Sequence, residues 1–364
     1  MRPATGHTSS ARATRRVLLA ATSAAIAAGV MAGTASLATA STTKPAASPG
    51  DPHSGVPPFF AGIVSQSSGS SAHATFSDVV KIFSSAKGTP AGTVTAPGSQ
   101  DFRAVSRLGN DQSFVASAFN RKACVSHLLK FSIDQAGQPS AVTPLSGPVR
   151  GEVEELTASA DGTALAFRKS GCNPGGPQIG VIHLATGRTT RWHTPANAFA
   201  GGLSLTADGS VLGFILDPNF NDPNATDQAW TMPTTAPAGP LLRGAHQVPG
   251  LGANADEAVL SPSGDQLWIE AQKTPNSQDP VTLSLVTTST GALVRQVTQL
   301  SPGGKDLTFV ELTLDNSGQH MLAYGGNPGP GHADAAEIDL SSGQTRTLPI
   351  TNPVIDGGLT TFGW

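Results

Sequence analysis

A short unit of two apolar-alternating runs joined by a tight turn recurs along this chain of 364 residues. In its clearest copy, Thr157 to Phe167, the turn is Asp161-Gly162. Asp-Gly supplies the positive-φ positions of a tight turn, and flanks that alternate with period two are typical of strands. Each copy therefore predicts a β-hairpin. The other copies are residues 205–214, 260–269 and 314–324, with a degenerate one at 108–116.

A second strand pair, with its own glycine turn, follows each of these hairpins. Its turn glycines are separated by 49, 50, 52, 52 and 52 residues. Four strands in each repeat of about 50 residues, with no helical period between them, predict the blades of a β-propeller. We name the strands of a blade a, b, c and d from the centre outward. The turn glycines of the c–d pairs are Gly88, Gly137, Gly187, Gly239, Gly291 and Gly343.

The two ends of the repeat region predict how the ring closes. Six c–d pairs are present but only five a–b hairpins, so one blade lacks its inner pair. Residues 355–361 near the C-terminus resemble the strand a of residues 199–205, and Phe59 to Val64 reads as an isolated strand b. We therefore predict an all-β fold, a six-bladed β-propeller in which the C-terminal strand a pairs with the N-terminal strand b. A seven-bladed ring, with one unrecognised repeat, is the alternative.

The form Ser-x-Asp-Gly-x-x-Leu-Ala-Phe at 159–167, echoed at 206–214, resembles known propeller repeats. It is similar to repeats of the Tol-system propeller protein, of the propeller domains of prolyl-oligopeptidase-type enzymes and of the WD-repeat-like superfamily. It also resembles uncharacterised exported propellers of high-GC Gram-positive bacteria. The resemblance covers nearly all of residues 56–364, but its motif is structural and implies the fold rather than an activity.

The N-terminal region predicts export. Residues 1–40 read as a signal peptide, since arginines precede an apolar run that ends at the small-x-small sequence Ala38-Thr39-Ala40. Arg15-Arg16 leaves the twin-arginine and general secretory routes both open, and a retained membrane anchor is the alternative to cleavage. Residues 41–55 read as a disordered linker rich in Ser, Thr, Pro and Ala, and residues 56–364 as the propeller domain. The predicted location is extracellular or cell-envelope associated, with no stable membrane span after cleavage.

Two cysteines, Cys124 and Cys172, fall in the b–c connections of neighbouring blades. These connections share one face of a propeller, and export would expose them to an oxidising compartment, so we predict a disulfide between them. Two unpaired thiols are the alternative. Their spacing excludes a Cys-x-x-Cys redox motif and a zinc site.

Three glutamates occupy an equivalent position, six residues before the turn aspartate or its counterpart: Glu155, Glu257 and Glu311. Because strand a lines the axis, three blades would present a carboxylate near the mouth of the central channel. Like charges so gathered repel, which favours a metal or a cationic ligand between them. The alternative is that they are solvated around a wide opening or paired with Arg103 and Arg150.

The connection from Asp217 to Asp227 is the most oxygen-rich of the chain. Asp217, Asn219 and Asn221 begin like a calcium loop, but Asp222 stands where such a loop needs glycine. A loop built from Asx turns is the better interpretation. Calcium is the one cofactor that the sequence suggests, and only weakly.

With a net charge of −3 and no basic block beyond the N-terminus, the sequence gives no sign of a nucleic-acid binder. No Ser/His/Asp constellation is apparent, and no Gly-x-Ser-x-Gly occurs. We therefore predict a non-catalytic, monomeric propeller that binds a protein, peptide or cell-envelope ligand on its loop-rich face. The alternative is a metal-assisted hydrolase or lactonase that uses the three glutamates.

Overall fold

The computed structural model describes residues 56–68, 75–109, 112–172, 176–222, 225–250, 255–271, 282–298, 309–326, 333–350 and 359–364. These residues form strands, and the helical structure among them is one turn of 3-10 helix at Leu241–Arg243. No helix in these ranges is long and apolar enough to cross a membrane. The predicted signal peptide (1–40) and linker (41–55) lie outside the described residues.

The strands form six sheets, and each sheet is one blade. Blade 1 contains β1 (Phe59–Ser68), β2 (Thr75–Ser84) and β3 (Pro90–Val94), and blade 2 contains β4 (Asp101–Arg107), β5 (Ser113–Asn120), β6 (Val125–Ser132), β7 (Thr143–Pro144) and β8 (Val149–Arg150). Blade 3 contains β9 (Glu152–Ala158), β10 (Ala164–Ser170), β11 (Gln178–His183) and β12 (Arg188–His193). Blade 4 contains β13 (Phe199–Leu205), β14 (Val211–Asp217) and β15 (Gln228–Pro233), which β16 (Gly239–Pro240) and β17 (His246–Gln247) follow. Blade 5 contains β18 (Ala255–Leu260), β19 (Gln266–Ala271), β20 (Thr282–Thr287) and β21 (Leu293–Thr298). Blade 6 contains β22 (Phe309–Leu314), β23 (His320–Gly326), β24 (Ala333–Asp339) and β25 (Thr345–Pro349), and the chain ends with β26 (Leu359–Gly363).

The ring closes as predicted, and six is the number of blades. β26 pairs antiparallel with β1, with Gly363 opposite Ala61 and Leu359 opposite Val64, and so becomes strand a of blade 1. Each strand a then contacts the strand a of the next blade around the whole ring. The inner edge of blade 1 is thereby paired rather than exposed.

The hydrophobic core is divided among the six seams between neighbouring blades. Phe60, Phe83 and Trp364 of blade 1 pack with Leu322 and Leu348 of blade 6, for example. Each of the other five seams has its own buried cluster. Because a blade buries its faces only against neighbours, no blade has a complete core of its own.

The recurring a–b turn has a common hydrogen-bond pattern. In blade 4 the Thr206 hydroxyl donates to Asp208 Oδ1 at 2.7 Å, and the Ser210 N–H donates to the same oxygen at 3.0 Å. Gly209 follows the aspartate with a φ of 66°, in the left-handed region that glycine adopts without a steric cost. Blade 3 repeats the pattern with Ser159 and Asp161. The recurring Asp-Gly motif of the a–b hairpins is therefore a structural turn.

Replacing Asp208 with asparagine should remove a pH-dependent contribution to stability. Hydrogen bonds from the Ser210 N–H, the Ser210 hydroxyl and Thr206 lower the pKa of Asp208 from 3.8 to about 2. Because the folded pKa lies below the unfolded one, the contribution is complete above about pH 4 and is lost as the pH falls through about 2. Melting temperatures measured from about pH 6 to pH 2 should show the gap between wild type and variant narrowing as the pH falls. A gap that stays constant would count against this role.

Two outer strands differ from the prediction. In blade 2 the predicted strand d is replaced by the short β7 and β8, because Pro139, Pro144 and Pro148 interrupt this stretch and proline cannot donate to a ladder. In blade 4 the residues after the predicted turn do not return to their own sheet at once. β16 pairs in parallel with β12 of blade 3, and β17 then completes blade 4.

Candidate functional site

The inner strands have an irregularity at the level of the predicted glutamates. In blade 3, Glu155 lies opposite Arg168 and Val153 lies opposite Lys169, so Glu154 is an extra residue in β9. Such a β-bulge lets consecutive side chains point to the same side of the sheet. The pairings of β4, β18 and β22 each skip one residue at the equivalent place.

The structure brings the three predicted glutamates to one cavity on the axis. Glu155, Glu257 and Glu311 all line a space of about 40 Å³ together with Gly202. A second cavity of about 80 Å³, lined by the later residues of the same strands, lies next along the axis. Each is large enough for only a few water molecules, whereas sites for organic ligands measure about 300 to 1,000 Å³.

Glu155 is held by protein groups. Its Oε2 accepts a hydrogen bond from Arg168 Nε at 3.0 Å, and its Oε1 accepts one from the Leu203 N–H of blade 4. Arg168 also forms an ion pair with Glu154. Burial alone would lower the pKa of Arg168, but the attraction of Glu155 and Glu154 outweighs it and raises the pKa. Arg168 therefore supplies the positive charge that these two carboxylates require.

Arg103, one of the two arginines that the sequence suggested as partners of the glutamates, has other partners. It pairs with Asp78 of blade 1 at 2.6 Å and with Glu152 of blade 3 at 2.8 Å. It thus connects three blades through carboxylates other than the three glutamates of the cavity.

Two glycines of blade 4 make room for the carboxylates of both neighbouring blades. A Cβ at Gly201 would lie 3.3 Å from Glu155 Oε2, and one at Gly202 would lie 3.0 Å from Glu257 Oε2. These glycines occupy the places that Glu154 and Glu155 hold in blade 3. The sequence shows them as a Gly-Gly pair, but their role becomes evident only when the blades are placed in order.

Among the residues that the structure describes, no group of three or more His, Cys, Asp or Glu side chains could hold a metal ion. In the weakly predicted calcium loop, the Asn219 N–H donates to Asp217 Oδ1 at 3.0 Å and the Asn221 N–H donates to Asn219 Oδ1 at 3.3 Å. These are Asx turns, in which a side chain satisfies the backbone two residues on. The later residues 223 and 224 lie outside the described ranges.

The same loop carries a feature that the sequence interpretation missed. Phe220 is 48% exposed, and its ring centroid lies 6.2 Å from that of Phe199 at the start of β13. The guanidinium of Arg168 lies 4.7 Å from the Phe199 ring centroid, a cation–π contact. We call Arg168, Phe199 and Phe220 the aromatic stack. It joins the glutamate cavity to an exposed aromatic ring on the face that carries the b–c connections.

Cys124 and Cys172 form a disulfide with a Cα–Cα distance of 6.0 Å. The bond joins the b–c connections of blades 2 and 3 on that same face. The Gly151 N–H donates to the Cys124 carbonyl at 3.0 Å, so the start of blade 3 is also fixed to this connection.

Comparison with solved structures finds similar folds at low sequence identity. TolB from Acinetobacter baumannii matches with a TM-score of 0.58 and 13% identity, over 84% of this chain and 66% of that chain. A chain of the nidogen/laminin complex matches with a TM-score of 0.50 and 10% identity, over 84% of this chain and 97% of that chain. What they share with this chain is the β-propeller fold. At such identities the likeness carries no activity or ligand. No protein-family model matches the chain, and no curated protein matches it in sequence.

Proposed function

We propose that this chain is a non-catalytic propeller that binds a protein, peptide or cell-envelope ligand on the face of its b–c connections. The observation that carries the proposal is the aromatic stack. Aromatic residues and arginine are enriched at protein interfaces relative to the rest of the surface. Phe220 offers such a ring, and Phe199 and Arg168 hold it from behind.

The narrow axis supports binding on the face rather than inside the ring. Among the described residues, side chains of strand a line two axial cavities of about 40 and 80 Å³, which are smaller than sites for organic ligands of ordinary size. The hydrolase alternative would need Glu155 as a metal ligand or base. Its two oxygens already accept hydrogen bonds from Arg168 and Leu203, so the alternative gains no support from this arrangement.

We also propose that the protein acts outside the cytoplasm, in the extracellular space or the cell envelope. The signal-like residues 1–40 motivate this location, and the Cys124–Cys172 disulfide supports it because such bonds persist in oxidising compartments. The twin-arginine and general secretory routes both remain compatible with it.

The test is affinity capture from a cell-envelope extract of the source organism, with partners quantified by mass spectrometry. The wild-type chain is compared with Phe220→Ser and with Leu293→Ser. Leu293 lies on the outer strand of blade 5 and is 61% exposed, so the control removes an apolar side chain of similar exposure away from the face. We expect at least one protein or polymer that the wild type and Leu293→Ser retain and that Phe220→Ser loses by about tenfold or more.

Identical sets of captured molecules for all three proteins would contradict a binding role for the aromatic stack. A near-ultraviolet circular dichroism spectrum of each variant checks that the propeller is intact. If Phe220→Ser loses a captured molecule but keeps a wild-type spectrum, the loss results from the changed surface and not from misfolding.

A further inference from the structure

Charge is distributed unevenly around the ring. Residues 101–193, which form blades 2 and 3, contain ten Lys and Arg against seven Asp and Glu. The rest of the propeller, residues 56–100 and 194–364, contains seven Lys and Arg against seventeen Asp and Glu. Two adjacent blades are therefore basic in a domain that is otherwise strongly acidic.

Three basic side chains share one face of blade 3. Lys169 lies opposite Gln178, which lies opposite His193, and Arg191 lies two residues from His193 in β12. Because successive side chains of a strand alternate between faces, all three point to the same side. It is the side of Phe167 and Ile182, which pack against blade 2. The Lys169 ammonium donates to the Arg150 carbonyl of blade 2 at 2.9 Å.

This group has no acidic partner in the part of the chain that the structure describes. Among the residues that the structure describes, no ion pair includes Lys169, Arg191 or His193. The acidic residues at this end of blade 3 are already used, Glu152 by Arg103 and Glu154 by Arg168. Burial and the repulsion of Arg191 both lower the pKa of Lys169, as expected for a cation near a like charge.

The disulfide fixes further basic residues at the same seam. Arg121 and Lys122 are exposed in the turn that leads to Cys124, and Cys172 follows Lys169 by three residues. Arg150 is exposed directly before Gly151, whose N–H binds the Cys124 carbonyl. We call these six residues the basic seam: Arg121, Lys122, Arg150, Lys169, Arg191 and His193.

We propose that the basic seam binds an acidic segment of a protein partner. The inference rests on the proposed function and adds to it a second contact area with a defined chemistry. Carboxylates would pair with arginine in two-pronged hydrogen bonds and would offset the repulsion among the cations. An acidic segment would also be guided to the seam, because complementary fields accelerate association.

The charge of the remaining blades favours a short acidic segment over a long polyanion. A nucleic acid or a phosphate polymer carries its charge along its whole length, and beyond the seam it would meet four blades with seventeen acidic and seven basic residues. At physiological ionic strength charges are felt over about 8 Å, so a segment confined to the seam avoids most of that repulsion. A protein can place a few carboxylates at one spot and keep the rest of its contacting surface neutral.

The experiment measures fluorescence anisotropy of a labelled peptide of about eight glutamates, titrated with the full chain at low and physiological salt. We expect saturable binding that weakens with salt and that Arg191→Glu reduces by about tenfold or more. The matched control is Arg188→Glu. Arg188 is also exposed on β12 but lies on the opposite face with Trp192, towards blade 4. It should change the affinity by less than about twofold.

Three results would overturn the inference. The first is an equal loss of peptide affinity in Arg188→Glu, which would show that the effect comes from net charge alone. The second is tighter binding of a polyphosphate or of single-stranded DNA than of the peptide, with the same dependence on Arg191. The third is peptide binding caused by self-association of the chain, seen by analytical ultracentrifugation.

The two proposals fail separately. If the peptide does not bind but capture still depends on Phe220, the acidic-segment inference is wrong and the proposed function stands. If the peptide does not bind and capture is unchanged in Phe220→Ser, both are wrong. If the peptide binds at the seam and Phe220→Ser captures the same molecules as the wild type, the binding role of the aromatic stack is wrong. The binding of an acidic segment by the basic seam then stands.

Discussion

Replacing Trp364 with alanine is expected to lower the free energy of unfolding by about 3 to 5 kcal/mol, the range measured for large aromatic side chains removed from packed cores. Trp364 is the last residue of the chain and is 2% exposed. Its indole N–H donates to Ser85 Oγ at 3.3 Å, and its ring meets the edge of His320 at 6.5 Å. It packs with Phe60 and Phe83 at the seam between blades 6 and 1. The loss would therefore weaken the place where the ring closes.

Urea denaturation followed by fluorescence and by far-ultraviolet circular dichroism measures this effect. Trp364→Phe is the graded variant, since it keeps most of the apolar volume and loses the hydrogen bond, and it should cost less than alanine. Leu293→Ala, at a 61% exposed site, should cost less than about 1 kcal/mol. A cost for Trp364→Ala as small as that of Leu293→Ala would show that the closing seam does not limit stability.

Replacing Arg168 with methionine should destabilise the propeller by about 2 to 4 kcal/mol. Removing one partner of a buried ion pair leaves the other charge without compensation, and the cost reaches about 3 to 5 kcal/mol for fully buried pairs. Arg168 is 14% exposed, but Glu154 is 31% exposed and stays in partial contact with water, so we place the value lower. Methionine keeps much of the apolar stem of arginine and isolates the effect of the charge.

A double-mutant cycle separates the charge from the packing. If Arg168 acts by compensating Glu155, then Glu155→Gln in the Arg168→Met background should recover part of the lost stability. Costs that simply add would mean that the two side chains are not energetically coupled. The same variants should reduce capture in the binding experiment, because Arg168 supports Phe199 beneath Phe220.

The architecture could be predicted from the sequence because it depends on repetition. The turn glycines of the c–d pairs recur every 49 to 52 residues, and the missing copy of the a–b hairpin pointed to the C-terminal strand that completes blade 1. Their equivalent positions in the repeat also predicted that Glu155, Glu257 and Glu311 lie at the same height along the axis. In the structure all three line one cavity. Residues at equivalent positions of different blades lie at the same level of the ring whatever their individual contacts are.

The partners of those glutamates could not be predicted in this way. Arg168 lies opposite Glu155 in the register that continues from the hairpin turn, but its second contact, with Glu154, depends on the bulge that Glu154 forms in β9, and the bulge has no marker in the sequence. The approach of Glu257 to Gly202 depends on which blade follows which around the ring. The sequence predicted a cationic ligand because three carboxylates were expected to gather there. In the structure Arg168 already supplies a positive charge to one of them, Glu155.

The pairing of β26 with β1 has one more consequence. Blade 1 takes its strand a, β26, from the C-terminal part of the chain and its other strands from the N-terminal part of the propeller. The break between strands a and b of blade 1 therefore reflects the order of the strands along the sequence and not the packing of the ring. A circular permutant that links Trp364 to Val56 through a short flexible peptide and opens the chain at Asp208-Gly209 should assemble the same ring, with blade 4 closed in the manner of blade 1.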